Sequence, residues 1–215
     1  YIKNTAMINS LSQFSINKFL DSFPDPRRIL IAYSGGIDSS VLLHLLCSIR
    51  SKLKQVLEVI YIDHGLQKKS NDWGEFCRQE CIKYNVPFTL LKINECCPEN
   101  LSVEGWARDK RYSLISELVK RNDILFTAHH QDDQVETFLL QLKRGAGPKG
   151  LSAMNRRWVS HCPSQPAKKV GFYRPLLALK QQLIMDYALE HQLQWCEDES
   201  NQNTDFERNF LRHDV

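Results

Sequence analysis

Five nearly continuous apolar runs of six or seven residues lie along the chain. They are rich in Ile, Leu, Val, Phe and Tyr, and apolar residues mostly do not alternate with polar ones. This pattern is typical of strands covered on both faces, as in a parallel sheet. We therefore predict strands at residues 28–33, 56–62, 87–93, 123–128 and 171–177.

The segments between these runs repeat apolar residues at helical spacing. In residues 38–50 one stripe is formed by Val41, Leu42, Leu45, Leu46 and Ile49. Similar patterns predict further helices at residues 70–85, 102–122 and 132–145. Strands that alternate with helices imply right-handed crossovers. The predicted fold class is therefore α/β, a doubly wound and mostly parallel sheet with helices on both faces.

Polar segments follow the predicted strands at the places where such a sheet binds ligands, beyond the carboxyl ends of its strands. Four candidate segments lie there: Ser34–Gly36, Asp63–Gly65, His129–Asp133 and the region after Leu177. Since parallel strands end at the same edge, we expect these segments to form one site.

The first of these segments has the composition of an anion-binding loop. Gly35 and Gly36 can bring bare backbone N–H groups against a ligand, and the start of the next helix favours negative charge. The serines at 34, 39 and 40 add hydroxyl donors. The loop lacks the lysine of a Walker P-loop and the spacing of a dinucleotide fingerprint. Phosphate or pyrophosphate is the expected ligand, and a plain strand-to-helix turn is the alternative for the two glycines alone.

Composition and charge limit the class of protein. The chain has 215 residues, 42% of them hydrophobic, and a formal net charge of +3. No stretch approaches the roughly 18 apolar residues of a membrane span, and the N-terminal region does not resemble a signal peptide. Seven scattered cysteines without a C-x-x-C motif favour reduced thiols over disulfides or a metal site. We expect a cytoplasmic protein without a membrane partner.

The expected domain organisation is simple. Residues 1–26 are predicted to be an N-terminal extension or helix, and residues 27–215 a single catalytic domain. Met7 is the expected natural start, which leaves Tyr1–Ala6 outside the natural chain.

The string "SGGIDSS" resembles the pyrophosphate loop, or PP-loop, of the N-type ATP pyrophosphatases. That resemblance implies an adenine nucleotide alpha hydrolase-like fold. Its members release pyrophosphate from ATP and leave AMP on a substrate oxygen, from which a nucleophile then displaces it. The loop alone indicates this superfamily and leaves the substrate open.

Four further strings resemble the tRNA(Ile)-lysidine synthetase family. They are "YIDHGLQKKSNDW", "VEGWARDKRYSLI", "TAHHQDDQVETFLLQLKRGAGPKGLSAM" and the run from "YRPLL" to "RNFLRHDV". The resemblance implies that ATP adenylates the C2 oxygen of the first anticodon cytidine of a CAU-anticodon tRNA(Ile). The ε-amine of L-lysine would then attack C2 and expel AMP. The family usually continues into C-terminal tRNA-binding domains, which this chain lacks, and a homodimer is left open.

The resemblance and the residue chemistry together assign candidate roles. The predicted catalytic acids are Asp38, Asp132, Asp133 and Glu136. The predicted ATP-binding residues are Ser34, Gly35, Gly36, Ile37, Asp38, Ser39, Ser40, Asp63, His64 and His129. The predicted lysine-binding residues are Asp133, Glu136 and Arg208. Asp38 is also the expected ligand of the Mg²⁺ that accompanies ATP.

The three acids at residues 132, 133 and 136 leave several roles open. They could bind magnesium, hold the lysine ammonium or act as general base. Alternatively, they compensate the helix dipole on a solvated first turn. We expect Asp132 and Glu136, one turn apart, to face together. His129 could polarise a phosphate, or it could have a purely structural role.

The expected RNA surface is a run of 49 residues, 137–185, that contains no Asp or Glu. It combines cations with aromatic residues and a glycine-rich loop, as phosphate contacts and base stacking require. A solubilising basic loop is the alternative. The predicted tRNA-binding residues are Arg108, Arg111, Lys149, Arg156, Arg157 and Arg212.

Two other functions remain compatible with the sequence. A different PP-loop enzyme would form an amide or a thiolated base, and would need a glutaminase partner or reactive cysteines. A non-catalytic ATP-binding module would leave the acidic helix and the basic run unexplained.

Overall fold

The computed structural model describes residues 16, 20, 28–63, 70–93, 95–100, 103–120, 122–162 and 165–197. Its strands are β1 (Arg28–Ala32), β2 (Val56–Asp63), β3 (Phe88–Lys92), β4 (Asp123–Phe126), β5 (Arg157–Cys162) and β6 (Gln165–Tyr173). They form one sheet in the order β3-β2-β1-β4-β6-β5. All neighbours pair in parallel except β5 and β6, which are antiparallel. The predicted mostly parallel sheet is confirmed.

The carboxyl-terminal strands differ from the prediction. The run at 171–177 is only partly a strand, because β6 begins at Gln165 and ends at Tyr173, and residues 175–178 form a turn. Pro175 lacks the N–H that a continued ladder would need. Leu176 and Leu177 extend the apolar run although they lie in the turn, since their side chains are buried. β5 was not predicted.

The helices are α1 (Ile37–Ser48), α2 (Ser70–Lys83), α3 (Val103–Leu118), α4 (Gln131–Lys143), the one-turn α5 (Pro148–Leu151) and α6 (Gln181–Glu190). A 3₁₀ turn follows α1 at Arg50–Lys52. The first four helices confirm the periodicity argument. α6 was missed, although Ile184, Tyr187 and Ala188 have helical spacing and are buried.

Helices cover both faces of the sheet. Ile29 and Ile31 of β1 join the larger core cluster with α1 and α6, whereas Leu30 packs with Ile115 of α3 in a second cluster. Successive side chains of a strand point to opposite faces, so β1 is buried on both. The whole predicted stripe of α1 is buried, as are the helical residues at positions 16 and 20. The helices on both faces are thereby confirmed.

An ion-pair cluster ties the amino ends of three neighbouring strands. The guanidinium of Arg28 lies 2.5 Å from Glu58 Oε2 and 2.5 Å from Asp123 Oδ2. Asp123 is buried, and burial of this kind requires a paired charge. Within the described residues, every helix is too short or too polar to span a membrane.

Candidate functional site

The sheet brings the predicted polar segments together at one edge. Ala32 of β1 pairs with Ile60 of β2, Ile31 with Phe126 of β4, and Phe126 with Tyr173 of β6. The parallel strands β1, β4 and β6 therefore end side by side, and β2 continues beyond them to Asp63. The loop after β1 and the segment after β4 face each other across this edge.

The loop after β1 requires glycine at one position and permits another residue at the next. Gly35 has a φ of +82°, and a Cβ there would lie 3.0 Å from Cys77 Sγ. Its carbonyl accepts a hydrogen bond from the Cys196 N–H at 2.8 Å, so the chain after α6 closes over the loop. Gly36 is extended, with a φ of −74°, and is the residue immediately before α1. Because Gly36 has no side chain to cap the helix, the first N–H groups of α1 face outward as anion donors.

The three serines have different positions in this loop. The buried Ser39 donates to the Gly36 carbonyl at 2.9 Å and accepts from the Ser34 N–H at 3.2 Å. Ser40 is buried beside the Tyr33 hydroxyl at 3.3 Å. Both side chains are therefore buried and stabilise the loop from the interior of the protein. Ser34 is exposed at its mouth, where its hydroxyl can reach a ligand.

A buried imidazole links the loop to the acidic helix. Nε2 of His130 lies 3.7 Å from Asp38 Oδ1 and 3.5 Å from Asp133 Oδ2. Nδ1 of His130 accepts the Asp132 N–H at 3.2 Å, so the ring proton belongs on Nε2, between the two carboxylates. His130 was placed in the candidate segment His129–Asp133 by its sequence but was assigned no role. In the sequence, His130 follows β4 and precedes two acidic residues, and this position could have indicated a role in the site.

The three acids of α4 are not equivalent. Asp133 and Glu136 are buried, and Asp133 Oδ2 accepts the His130 N–H at 2.9 Å in a capping arrangement. The Asp132 side chain is 46% exposed and accepts the Gln181 N–H at 2.7 Å, which caps α6. Asp132 and Glu136 lie one turn apart in α4 but differ in exposure, because the Asp132 carboxylate points to the start of α6. The buried acids of α4 are Asp133 and Glu136.

His129 is oriented by a buried arginine from the end of β6. The Nε of Arg174 donates to His129 Nδ1 at 3.2 Å, and its NH1 donates to the Asn155 carbonyl at 2.5 Å. The guanidinium also stacks 4.0 Å from the centroid of Trp158. An arginine can only donate, so Nδ1 of His129 accepts and the ring proton lies on Nε2. Arg174 was recognised in the sequence only as one cation of the basic run.

The remaining predicted residues divide by position. Asp63 is buried at the end of β2, and Ile37 begins α1. Arg111, Lys149, Arg156 and Arg157 are exposed. Arg108 lies in α3. His64, Arg208 and Arg212 lie outside the described residues.

The donor set suits magnesium delivered with a nucleotide. Mg²⁺ is commonly held by one or two carboxylates together with substrate phosphates. Asp38, in the first turn of α1 beside the loop, supplies such a carboxylate. Among the described residues, no group of three or more His, Cys, Asp or Glu side chains is arranged to hold a metal by itself.

Two cysteines lie beneath the loop as thiols. Their Sγ atoms would be 3.0 Å and 3.6 Å from a Cβ at Gly35, for Cys77 and Cys196 respectively. Burial raises the pKa of both thiols above the ordinary value. Both are therefore weak nucleophiles at neutral pH, where the thiolate is the reactive form.

Comparison with known proteins agrees with this geometry. A family profile described as PP-loop domain matches residues 8–215. A tRNA(Ile)-lysidine synthase of Haemophilus ducreyi is 44% identical over 205 residues, or 95% of this chain and 45% of that protein. The tRNA(Ile)-lysidine synthase of Hydrogenovibrio crunogenus is 39% identical over 211 residues, or 94% of this chain and 47% of that protein. The chain thus spans about half the length of these curated relatives.

Solved structures share the fold. A U34-tRNA thiolase, NcsA from Methanococcus maripaludis with its 4Fe-4S cluster, superposes with a TM-score of 0.70 at 16% identity, covering 92% of this chain and 67% of that one. A glutamine-dependent NAD+ synthetase from Acinetobacter baumannii gives 0.55 at 14% identity, covering 86% and 32%. From its loop, its sheet and a profile match over almost its whole length, we conclude that the chain belongs to the PP-loop domain family.

Proposed function

We propose that this chain is the catalytic part of a tRNA(Ile)-lysidine synthetase. It would attach L-lysine to C2 of the first anticodon cytidine of a CAU-anticodon tRNA(Ile), at the expense of ATP. The observation that carries the proposal is the meeting of the Ser34–Ser39 loop with Asp38, His130 and Asp133 at one sheet edge. The relatives named tRNA(Ile)-lysidine synthase support the choice of substrate.

In the first step the cytidine would be activated. Its C2 oxygen attacks the α-phosphorus of ATP, and pyrophosphate leaves. The N–H groups at the start of α1 and the Ser34 hydroxyl bind the departing phosphates. Bound Mg²⁺, held by Asp38, would neutralise phosphate charge there. The N–H at His130 Nε2 lies 3.7 Å from Asp38 Oδ1 and 3.5 Å from Asp133 Oδ2, and its partial positive charge favours both carboxylates.

In the second step the lysine ε-amine attacks C2, the C2–O bond breaks, and AMP leaves with that oxygen. The amine must lose a proton, and a nearby carboxylate can accept it. Among the acids of α4, Asp133 and Glu136 are buried, whereas Asp132 accepts a hydrogen bond from the start of α6. Either can also hold the ammonium of the incoming lysine before it reacts.

The tRNA would approach along the β5–β6 hairpin and the preceding turn, where Lys149, Arg156 and Arg157 are exposed. Their positive charge can contact phosphates without reading sequence. If they do, the double charge reversal Arg156→Glu, Arg157→Glu weakens tRNA binding and reduces its salt dependence. Unchanged affinity and unchanged salt slope would refute this path.

An amine nucleophile fits this site better than a sulfur one. The thiols nearest the loop, Cys77 and Cys196, have raised pKa values because they are buried. A thiolation enzyme would need a reactive cysteine, which such burial disfavours.

The deciding experiment incubates the protein with ATP, labelled lysine and the tRNA. We expect label in the RNA with wild type, and pyrophosphate release without label in the RNA for whichever of Asp133→Asn and Glu136→Gln removes the acceptor of the amine proton. The matched control is Glu75→Gln, an exposed acid of α2, which should behave as wild type. Pyrophosphate release by wild type without lysine in the RNA would refute the proposal and favour a different bond.

A further inference from the structure

A buried arginine connects the candidate site with the aromatic residues behind it. Arg174, directly after β6, is only 4% exposed. Its guanidinium lies over the ring of Trp158 at 4.0 Å from the centroid, and Phe172 stacks on the same ring with centroids 4.3 Å apart. NH1 of Arg174 donates to the Asn155 carbonyl at 2.5 Å. Packing and hydrogen bonding therefore hold the guanidinium in one place.

This arginine also fixes the protonation state of His129. Its Nε donates to His129 Nδ1 at 3.2 Å, and the Thr127 hydroxyl lies 3.0 Å from the same nitrogen. An arginine has only N–H donors, so Nδ1 must accept and cannot carry a proton. The single ring proton is therefore on Nε2, and the ring is neutral.

The positive charge of Arg174 opposes a second proton on this ring. A proton on Nδ1 would break the hydrogen bond from Arg174 and place two positive groups 3.2 Å apart. Like charges this close disfavour the charged form of the group that can lose its proton, and an arginine does not lose one. The cation therefore favours the neutral imidazole.

The acids of the neighbouring helices contact other groups. Asp38 of α1 and Asp133 of α4 lie 3.7 Å and 3.5 Å from Nε2 of the next ring, His130. Asp132 accepts the N–H at the start of α6, and Glu136 is buried one turn further along α4. The charge that bonds to Nδ1 of the histidine at position 129 is that of the arginine.

The position of His129 gives the neutral ring a use in the reaction. The ring is half-buried and follows β4, in the segment that faces the loop after β1. Its Nε2–H points away from Arg174, because the two nitrogens of an imidazole point in different directions. It can donate one hydrogen bond to a phosphate oxygen at the loop. The ring cannot take the proton of an attacking amine, since Nε2 is protonated and Nδ1 accepts from Arg174.

We propose that Arg174 is a positioning residue that keeps His129 as a neutral donor of one hydrogen bond to a nucleotide phosphate at the loop. His129 then carries no proton during the reaction, and the proton of the amine goes to a carboxylate. The inference rests on the proposed function for the reaction that His129 assists, whereas the neutral ring is a property of the free protein.

The first measurement follows the ring nitrogens of His129 by ¹⁵N NMR in the free protein. The range runs from about pH 8 to about pH 5, where histidine ordinarily changes charge. The signals are identified by their loss in His129→Gln. We expect the Nε2–H tautomer throughout in wild type and in Arg78→Gln, which removes an exposed cation of α2. In Arg174→Gln, whose amide keeps a donor without the charge, the ring should become doubly protonated as pH falls.

A wild-type His129 that takes up a second proton in this range would overturn the inference, and that result requires no variant to fold. A ring that stays neutral in Arg174→Gln would overturn it too, because the charge of Arg174 would then have no effect. Unfolding midpoints at both ends of the pH range show that the variants are folded.

The second measurement is the rate of pyrophosphate release with saturating ATP and tRNA. His129→Ala removes the donor and should slow release about a hundredfold, the scale of one lost donor at a developing charge. Glutamine cannot take up a proton, but its amide can donate to the phosphate and accept from Arg174. His129→Gln should therefore recover most of the rate.

A His129→Gln variant as slow as His129→Ala would overturn the role as a neutral donor. These results remain distinct from failure of the proposed function, which is read from lysine in the RNA of wild type. A protein that incorporates lysine but protonates His129 twice refutes this inference alone.

Discussion

Replacing Gly35 by alanine tests whether the loop is held by one left-handed residue over a packed thiol. The φ of +82° is costly for any residue with a Cβ, by about 1–2 kcal/mol. The new Cβ would also approach Cys77 Sγ to 3.0 Å, and overpacking of this kind costs about 1–3 kcal/mol. Alanine restricts the unfolded chain and returns about 0.4–1 kcal/mol. The expected net loss is about 1–5 kcal/mol of unfolding free energy.

Two matched variants separate these contributions. At Gly145 the φ is +66° with nothing within 4 Å of a Cβ, so alanine there meets only the backbone cost and loses about 1 kcal/mol. At Gly36 the φ is −74° and the nearest atom is Ser34 Oγ at 3.5 Å, so alanine leaves stability nearly unchanged. Adding Cys77→Ala to Gly35→Ala should remove the part of the loss in unfolding free energy that comes from the steric contact. The part that comes from the backbone conformation should remain.

The assay is urea denaturation of all the variants, with ATP affinity measured in parallel. We expect Gly35→Ala to weaken ATP binding as well, because a displaced loop misdirects its N–H groups. Equal stabilities for Gly35→Ala and Gly36→Ala would contradict the account of the loop. The account would also be contradicted if the double variant Gly35→Ala, Cys77→Ala lost as much free energy of unfolding as its two single variants lose together.

Three further predictions concern a hydrogen bond, an ion pair and a buried thiol elsewhere in the fold. Both the Arg174 guanidinium and the Thr127 hydroxyl reach His129 Nδ1, so Arg174→Met together with Thr127→Val should move the ¹⁵N signals of that ring from a single tautomer toward an average; an unchanged spectrum contradicts the proposed orientation. Arg28→Met leaves the buried Asp123 without its cation and should cost about 3 kcal/mol in urea denaturation, with ATP affinity unchanged because the pair lies at the opposite ends of the strands. Burial raises the pKa of Cys81 to about 12, so unfolding free energy is lost as pH rises above about 9, where the unfolded thiol ionises; Cys81→Ala should flatten this alkaline slope, and an equal slope in both proteins contradicts it.

Sequence patterns predicted the parts of the fold in which burial is complete. β1 and β4 are buried on both faces, and their apolar runs were found to within two residues at their ends. β5 was missed because it is an edge strand: Val159 is 52% exposed, and its polar neighbours look like those of a loop. The basic character of that segment was attributed to RNA contact, which a strand can make equally well.

The candidate site was predictable at positions whose backbone conformation only one residue type adopts readily. Gly35 is such a position, since its φ admits little else. The division among the acids of α4 was not predictable, because it depends on α6 supplying the Gln181 N–H to Asp132. Arg174 was hidden for the same reason: only the folded chain brings it to His129.

The central claim is that ATP activates the cytidine C2 oxygen and that an amine then displaces it. The most direct measurement uses tRNA labelled with ¹⁸O at that oxygen, incubated with the protein, ATP and lysine. The account predicts one ¹⁸O atom in AMP for each lysine found in the RNA, and none in pyrophosphate. Lysine in the RNA together with unlabelled AMP would contradict it.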